Sequence, residues 1–410
     1  MSGVTESALA TTPRPAPAHE RDAPPTSPPL AQAESLGVPT RASRPPVVAR
    51  ACDACLRRAW LLAALVAHFE RCSARRSELA GLLALSDGDL ILAIGGPEVS
   101  VLRERHRGFS APTMRSALAA FGLHSVCVHD AAYPPLLAQA PDRPAALFVA
   151  GGWERFATIV SQTNVAVVGA RRASGYGLEA ARVLGHDLAA AGVTVVSGMA
   201  LGVDSAAHAG ALEGGGATVA VLAGSAHRPY PSSKRRLHGR IVETGCVLSE
   251  MPPGAAIRRW SFPARNRIIA GLARATVVVE AAVTSGSLIT AEFARALGRD
   301  VGAVPGQVTS PLASGPNDLL FDGALVVRDA GDVLDLLFGA GVRPLPPRRD
   351  GSELRPRLRD LLGEVEAGRT TLSAIVAAGG DAGSAMVGLA ELELLGYVRR
   401  GPAGSYVRVP

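Results

Sequence analysis

The chain has 410 residues, of which 48% are hydrophobic and 4% aromatic, and its formal net charge is +6. This length allows two or three domains, whereas the apolar runs are too short to span a bilayer and the start lacks a signal-peptide pattern. Five scattered cysteines exclude a disulfide scaffold, so we expect a cytoplasmic protein with no membrane partner.

The first part of the chain divides into a tail and a helical region. Residues 1–50 are rich in Pro, Ala, Ser and Thr and lack aliphatic periodicity, which predicts a disordered Pro-rich tail. Residues 51–130 carry apolar side chains at helical spacing, for example Trp60, Leu61 and Leu65, and turn signals divide the segment. This pattern predicts a small helical domain.

Four residues of the helical region have the spacing of a metal site. Cys52, Cys55, His68 and Cys72 read C-x2-C-x12-H-x3-C, which is close to a zinc-finger pattern. The alternative is apolar packing, because Cys55 directly precedes a helical pattern and buried cysteines are common in such domains. We favour packing and expect no cofactor, with zinc at these four residues as the open alternative.

Residues 131–338 alternate short apolar runs with helical stretches. The runs, which are typical of strands buried on both faces, are VAVVG, VTVVSG, ATVAVLAG, CVLSE, ATVVVEA and DVGAVPG. The stretches between them are long enough for right-handed crossovers. The pattern predicts an α/β core with an extended Rossmann-like, doubly wound parallel sheet, whose ligands bind at the carboxyl ends of the strands.

Three glycine-rich turns follow predicted strands of this sheet. Their backbone amides, hydroxyls and guanidiniums are groups that bind anions at the start of a helix. The candidate residues in these turns are Gly169, Arg171, Arg172, Ser197, Gly198, Ser285, Gly286 and Ser287. Two other residues near the second turn have structural interpretations: Asp204 as an N-cap or first-turn carboxylate, and His208 as a packed histidine.

Common nucleotide sites do not match these turns. Gly169, Gly175 and Gly177 lack the G-x-G-x-x-G spacing, and the second strand ends in Ser197 and Gly198 instead of an acid that binds ribose. Lys234 is the single lysine and follows Ser233, so a Walker A loop is excluded. The turns therefore favour a polyanion over a dinucleotide or ATP.

An arginine-rich segment lies within the same region. Between residues 228 and 274 there are ten basic and two acidic residues, a local net charge of +8. Phe262 lies inside the cluster and can stack on bases, while Trp260 fits packing and stacking equally well. The candidate DNA-binding residues of this segment are Lys234, Phe262, Arg265 and Arg267.

The end of the chain predicts a linker and a third domain. Residues 339–353 form a Pro- and Arg-rich linker, and residues 354–410 read as three short helices followed by a two-stranded ribbon, as in a winged helix. From residue 351 onward, seven arginines balance seven acids. Because phosphate binding needs positive charge, we expect protein contact or a structural role here instead of independent DNA binding.

Six ordered motifs across residues 133–324 resemble the DNA-processing protein A (DprA, also called Smf) family. They are GARRASGYGLEAAR, SGMALGVDSAAHAGAL, FPARNRIIAGL, VVEAAVTSGSLITA, AVPG and SGPNDLLFDGA. The resemblance implies a dimeric recombination mediator that binds and protects incoming single-stranded DNA and loads RecA during natural transformation. It also implies a sterile-alpha-motif-like (SAM-like) N-terminal domain and a winged-helix C-terminal domain.

The resemblance also implies specific DNA contacts and shows two departures. The motifs carry over contacts to Arg171, Ser197, Gly198, Arg265, Asn266 and Arg267. In the family's YPxxN pattern Lys234 stands at the asparagine position, and Ala170 stands where Ser or Thr is common. A specific asparagine contact and a hydroxyl contact to phosphate are therefore missing.

The alternative is an enzyme. The segment TSGSLITAE resembles the PGGxGTxxE turn of lysine-decarboxylase-like phosphoribohydrolases and places Glu292 at the catalytic glutamate. Leu288 and Ile289 occupy the Gly and Thr positions, which would fill a nucleotide pocket with aliphatic carbon. We therefore predict a non-enzymatic protein with no catalytic residues.

Overall fold

A computed structural model describes residues 47–72, 78–345, 351–401 and 404–408. Residues 1–46 of the predicted tail and residues 346–350 of the predicted linker lie outside this description. Among the described residues, no helix combines the length and apolar character that crossing a membrane requires.

Six helices form the predicted N-terminal helical region. They are α1 Asp53–Ala64, α2 Val66–Cys72, α3 Glu78–Ala84, α4 Asp87–Ile94, α5 Val99–Arg107 and α6 Ala111–Ala120. Ser86 and Ser110 cap α4 and α6, since each side chain accepts a hydrogen bond from the backbone N–H three residues later. Leu62, Phe69 and Leu90 are buried in a core that these helices share.

A nine-stranded sheet forms the centre of the molecule. Its strands are β1 His124–Cys127, β2 Ala146–Gly151, β3 Asn164–Val168, β4 Thr194–Ser197, β5 Thr218–Val221, β6 Cys246–Ser249, β7 Ala275–Val278, β8 Asp300–Ala303 and β9 Leu325–Val326. Their order is β1-β2-β6-β5-β4-β3-β7-β8-β9. The pairings from β6 through β9 are parallel, and β2 and β1 extend the sheet antiparallel beyond β6. The α/β fold and the six predicted strands, now β3 to β8, are confirmed.

The boundary of the core differs from the prediction. Residues 124–127 fall inside the predicted helical domain, yet they form β1 and pair with β2 in the central sheet. All four β1 side chains are buried, with Val126 packed in the sheet's core. A four-residue strand with His, Ser and Cys carries too little apolar periodicity to identify it.

Nine helices connect and cover the strands of the core. They are α7 Pro135–Ala138, α8 Trp153–Ser161, α9 Gly175–Ala190, α10 Val203–Glu213, α11 Arg235–Thr244, α12 Ser261–Leu272, α13 Leu288–Ala296, α14 Ser314–Phe321 and α15 Ala330–Phe338. One face of the sheet packs against Ile268 and Ile269 of α12, and the other against Leu184 of α9 and Ala207 of α10. Helices α9 and α10 approach each other closely: a Cβ on Gly210 would lie 1.9 Å from the carbonyl oxygen of Arg182.

The C-terminal region contains the three helices and the ribbon that the sequence predicts. The elements are α16 Pro356–Glu366, α17 Leu372–Ala377, α18 Ala382–Leu394 and the antiparallel strands β10 Val398–Arg400 and β11 Tyr406–Arg408. They share a core that includes Leu358, Leu389 and Leu392. Arg399 pairs with Glu179, which attaches the ribbon to α9 of the core. The winged-helix assignment stays a prediction.

The sheet has one reversal point of functional importance. From β5 outward the strand order runs β5-β4-β3-β7-β8-β9, so the chain leaves β3 in one direction and later adds β7 on its other side. In open parallel sheets, the crevice at such a reversal lies outside the carboxyl ends of the two strands and is where ligands bind. Here that crevice separates the turns after β3 and β7.

Candidate nucleic-acid interface

A cavity of about 500 Å³ lies at the crevice between β3 and β7. Residues 168–172 after β3 form one wall, and residues 284–287 after β7 form another. The start of α12 and the residues before it supply a third wall, with Arg259, Phe262, Arg265 and Asn266. The structure thus brings together two of the predicted turns and the predicted arginine-rich helix.

A smaller cavity of about 110 Å³ continues the first one toward β4 and β5. Gly198, Leu222 and Tyr230 are among its lining residues. Arg171, Ala200, Phe262 and Arg265 line both cavities. The two cavities therefore form one continuous surface along the carboxyl edge of the sheet.

An arginine and two aromatic rings form a contact cluster where the cavities meet. The Cζ atom of Arg171 lies 4.7 Å from the ring centroid of Phe262. The ring of Tyr230 lies 5.7 Å from that of Phe262, and Tyr230 is 39% exposed. Arg171 is exposed and Phe262 half-buried, so a guanidinium and aromatic surfaces face the open groove together.

Arg265 forms the buried floor beneath this contact cluster. Its side chain is 6% exposed, and its Nη1 donates a hydrogen bond to the carbonyl oxygen of Val221 at 2.5 Å. Burial, opposed by Asp204 and assisted by Arg171, lowers the pKa of Arg265 to about 10. The guanidinium nevertheless stays protonated at neutral pH. It lies against Gly198, where a Cβ would be 1.8 Å from Nη1.

The first glycine turn is closed by a carboxylate. Glu280 accepts hydrogen bonds from the backbone N–H of Ser174 at 2.8 Å and from its hydroxyl at 2.5 Å. The Ser174 hydroxyl in turn caps α9 by accepting from the N–H of Gly177. A dinucleotide pyrophosphate at this helix start would meet the carboxylate of Glu280. The guanidiniums of Arg171 and Arg172, both exposed, are left as the anion-binding groups of this turn.

A second carboxylate closes the second turn. One oxygen of Asp204 accepts from the N–H of Gly198 at 3.1 Å and from that of Ala200 at 3.3 Å. Burial raises the pKa of Asp204, and Arg265 and these amides oppose the rise. Asp204 lies in the first turn of α10, in agreement with its predicted structural role.

The structure corrects the prediction for Ser197. Its hydroxyl donates to the carbonyl oxygen of Val167 at 2.6 Å, and the residue is fully buried between β3 and β4. Ser197 lines neither cavity. It therefore joins two strands and offers no group to a ligand.

The third turn faces the larger cavity as predicted. The hydroxyls of Ser285 and Ser287 are 2.7 Å apart, and Gly286 is exposed between them. Asn266 holds the turn in place, because its Nδ2 donates to the carbonyl oxygen of Gly286 at 3.0 Å. Asn266 thus positions the turn in addition to lining the cavity.

Arg267 does not belong to the interface, contrary to the prediction. The residue is 3% exposed, and its Nη2 donates to both carboxylate oxygens of Glu250 at 2.8 and 2.9 Å. Its Nε lies 3.5 Å from Asp142. Two carboxylates neutralise this guanidinium inside the core, on the side of α12 away from the cavity lining. Arg265 and Arg267 are two residues apart in a helix, so they point in different directions.

Three further residues differ in how they match the sequence predictions. Lys234 is half-buried in a short 3-10 turn before α11 and lines neither cavity. Arg259 and Tyr230 do line the cavities, although the sequence analysis did not select them. The available signals were the position of Arg259 just before α12 and of Tyr230 in the segment YPSSK.

The ambiguous tryptophan packs between domains. Trp260 is 3% exposed, its ring stacks on Phe69 with centroids 4.2 Å apart, and its Nε1 donates to the carbonyl oxygen of Val66 at 2.8 Å. Of the two open interpretations, packing is therefore the correct one. Trp260 joins α12 to α2 and leaves base stacking to Phe262 and Tyr230.

The groups considered for catalysis lie outside the cavity. Glu292 is exposed on α13 and does not line either cavity. His208 is fully buried, with Nδ1 2.7 Å from the hydroxyl of Thr218, and burial lowers its pKa to about 3. It is the packed histidine that the sequence predicts.

Two residues of the zinc pattern that the sequence left open, Cys52 and Cys55, have partners from outside that pattern. His68 is buried on α2, with Nε2 3.2 Å from a carboxylate oxygen of Glu98, and the side chain of Cys72 lies outside the described part of the chain. Cys52 and Cys55 instead meet Cys127 and His129. Spacing along α2 could not show this, because the partners come from the end of β1.

Comparisons with known proteins agree with this architecture. Residues 124–338 match the family model described as DNA recombination-mediator protein A. The chain is 36% identical over 294 residues to Protein Smf of Escherichia coli (strain K12), covering 70% of this chain and 77% of that protein. It is 45% identical over 207 residues to the putative DNA processing protein DprA of Mycobacterium tuberculosis, covering 50% and 52%. The X-ray structure of DprA from Streptococcus pneumoniae superposes with a TM-score of 0.55 at 34% identity, over 68% of this chain and 95% of that one.

Proposed function

Because this chain belongs to the DNA recombination-mediator protein A (DprA/Smf) family, we propose that its two joined cavities bind single-stranded DNA. The protein is a recombination mediator, and the strand lies along the carboxyl edge of the sheet, from the turn after β7 to the ends of β4 and β5. The observation that carries this proposal is the contact cluster of Arg171, Phe262 and Tyr230 beside the buried Arg265.

This contact cluster combines the two interactions that binding of a single strand requires. Guanidiniums attract the phosphates, and aromatic faces stack on bases of any identity. Since Glu280 and Asp204 already occupy amides of the first two turns, the attraction of phosphate falls mainly on Arg171, Arg172 and Arg259. Binding is therefore salt-sensitive and tolerant of sequence.

The substitution Arg171→Ala tests the proposal. It removes one exposed guanidinium without opening the core, so affinity for an oligothymidine strand should fall. For single strands, the slope of log K against log salt should become shallower by about 0.7 for the one lost phosphate contact. Fluorescence anisotropy of a labelled strand at several salt concentrations measures both quantities.

Arg274→Ala is the matched control. Arg274 is also exposed and belongs to the same arginine-rich segment, but it precedes β7 at the amino edge of the sheet. Its loss should leave affinity and salt slope unchanged. If the two variants behave alike, binding follows overall charge and the cavity is not the interface.

Two properties of the family are proposed for this chain as well. We propose that the protein acts as a homodimer and that it loads RecA onto the bound strand. Light scattering of the purified protein measures the first property. RecA filament formation on strands coated beforehand with this protein measures the second, and Arg171→Ala should reduce it in proportion to lost strand binding.

We further propose that the protein is not an enzyme. The position of Glu292 outside the cavity supports this view against a phosphoribohydrolase. The test is base release from nucleoside monophosphates by the purified protein. Turnover that disappears in Glu292→Gln would overturn the proposal.

A further inference from the structure

Three cysteines and a histidine converge beside the helical region from two separate segments of the chain. The Sγ atoms of Cys52, Cys55 and Cys127 and a ring nitrogen of His129 all lie within 4.8 Å of one another. The Nδ1 atom of His129 is 3.5 Å from the Sγ of Cys52, 3.4 Å from that of Cys55 and 4.0 Å from that of Cys127. The cluster is separate from the cavities that bind DNA in our proposal.

These separations match a tetrahedral zinc site. With Zn–S bonds of about 2.3 Å and Zn–N bonds of about 2.0 Å, tetrahedral angles put sulfur and nitrogen ligands about 3.6 Å apart. Two sulfurs around the same ion are about 3.8 Å apart. The Nδ1–Sγ distances of 3.4 to 4.0 Å, and the limit of 4.8 Å on all the separations, therefore fit four ligand atoms around one zinc ion.

The local architecture explains why the ligands meet. Cys52 is the N-cap of α1 and Cys55 lies in its first turn, so the start of one helix brings both thiols together. Cys127 ends β1 and His129 follows two residues later. The backbone N–H of Cys52 donates to the Sγ of Cys127 at 3.4 Å, the kind of contact that orients a metal-bound sulfur.

We propose that Cys52, Cys55, Cys127 and His129 bind one structural zinc ion. Three thiolates and one imidazole complete four-coordination and leave no open position for a substrate, which is the pattern of a structural site. The ion fastens the start of α1 to the end of β1. The salt bridge of Arg50 with Asp130, at 2.7 Å, closes the same junction beside it.

The four side chains of the cluster differ in their exposure to solvent, which leaves a metal ion a path to them. Cys55 and Cys127 are buried, Cys52 is half-buried and His129 is exposed. The exposed imidazole gives the ion a route in from solvent. It also provides a ligand that can be removed without disturbing the core.

The first measurement is metal content of the full-length protein, purified under reducing conditions. We expect about one zinc ion per chain. After removal of zinc, titration with Co²⁺ should produce the intense visible absorption of a tetrahedral thiolate site. If neither zinc nor the Co²⁺ spectrum is found in the reduced protein, the proposal is wrong.

Variants then assign the ion to these residues. His129→Ala and Cys127→Ser should lower the zinc content to a small fraction of that in the unaltered protein and weaken the Co²⁺ absorption. The control is Cys246→Ala, since Cys246 is a free, fully buried cysteine of β6 outside the cluster. Full zinc content in the double variant of Cys127 and His129 would overturn the assignment.

A disulfide between Cys52 and Cys55 is the competing state. It would appear without reductant as the loss of two hydrogen atoms in the intact mass. A disulfide together with no metal uptake after reduction would contradict the proposal. The supporting result is a zinc-loaded protein whose thermal unfolding midpoint falls when a chelator is added. The Cys246→Ala control should show the same fall.

Discussion

Replacing Arg267 by alanine should unfold the protein more easily without removing a DNA contact. The guanidinium is 3% exposed and bridges Glu250 and Asp142, which are themselves 4% and 8% exposed. Without it, two buried carboxylates lack a counter-charge. Breaking a buried pair by removing one partner costs about 3–5 kcal/mol, a large share of the roughly 5–15 kcal/mol that stabilises a typical domain.

Urea denaturation followed by tryptophan fluorescence measures this loss of stability. Trp260 is buried at the start of α12, the helix that carries Arg267, so its fluorescence changes when this region unfolds. The double variant Arg267→Met with Glu250→Gln should regain part of the stability that Arg267→Ala loses. It leaves one buried carboxylate, that of Asp142, without a counter-charge instead of two. The reasoning is refuted if Arg267→Ala unfolds at the same urea concentration as the unaltered protein yet loses strand affinity as Arg171→Ala does.

Three other predictions follow from the same geometry. Gly198→Ala should weaken strand binding while the circular dichroism spectrum stays unchanged, because the new Cβ would displace the guanidinium of Arg265; unaltered affinity would contradict this. Phe262→Leu should lose about 1–3 kcal/mol of binding with the salt slope unchanged, since stacking is lost and no charge is removed; a shallower slope would argue against stacking. Burial lowers the pKa of His208 to about 3 from an ordinary value of 6.5, so the unfolded chain takes up a proton that the folded protein excludes, and stability is lost as pH falls below 6.5. Between pH 7.5 and pH 5, His208→Gln should therefore lose about 2 kcal/mol less stability than the unaltered protein, as measured by urea denaturation. His227, whose pKa burial lowers to about 4, contributes to the acid loss of both proteins, so an equal loss in the two would refute the assignment to His208.

The sequence predicted the architecture of the core well. Short β-branched runs between helical stretches identified β3 to β8, because strands buried on both faces must be apolar throughout. The antiparallel strand β1 was harder to place. β1 has four residues and mixed polarity, so its pairing with β2 became visible only in the folded sheet.

For the candidate site, the sequence identified the types of residue that bind DNA in our proposal, but it did not show which way their side chains point. The motifs identified Arg171, Phe262 and Arg265, which the structure brings into one groove. They gave the same weight to Arg267, which points into the core because a helix turns by about 100° per residue.

The sequence by itself determined the family, the order of the strands along the chain and the local excess of arginine. Tertiary structure decided which polar groups are free. Glu280 and Asp204 close two turns that look open to anions in the sequence, and they come from elsewhere in the fold or from the next helix. It also brought Cys127 and His129 beside Cys52 and Cys55, because the partner of a side chain is set by distance in space and long-range pairing leaves no local pattern.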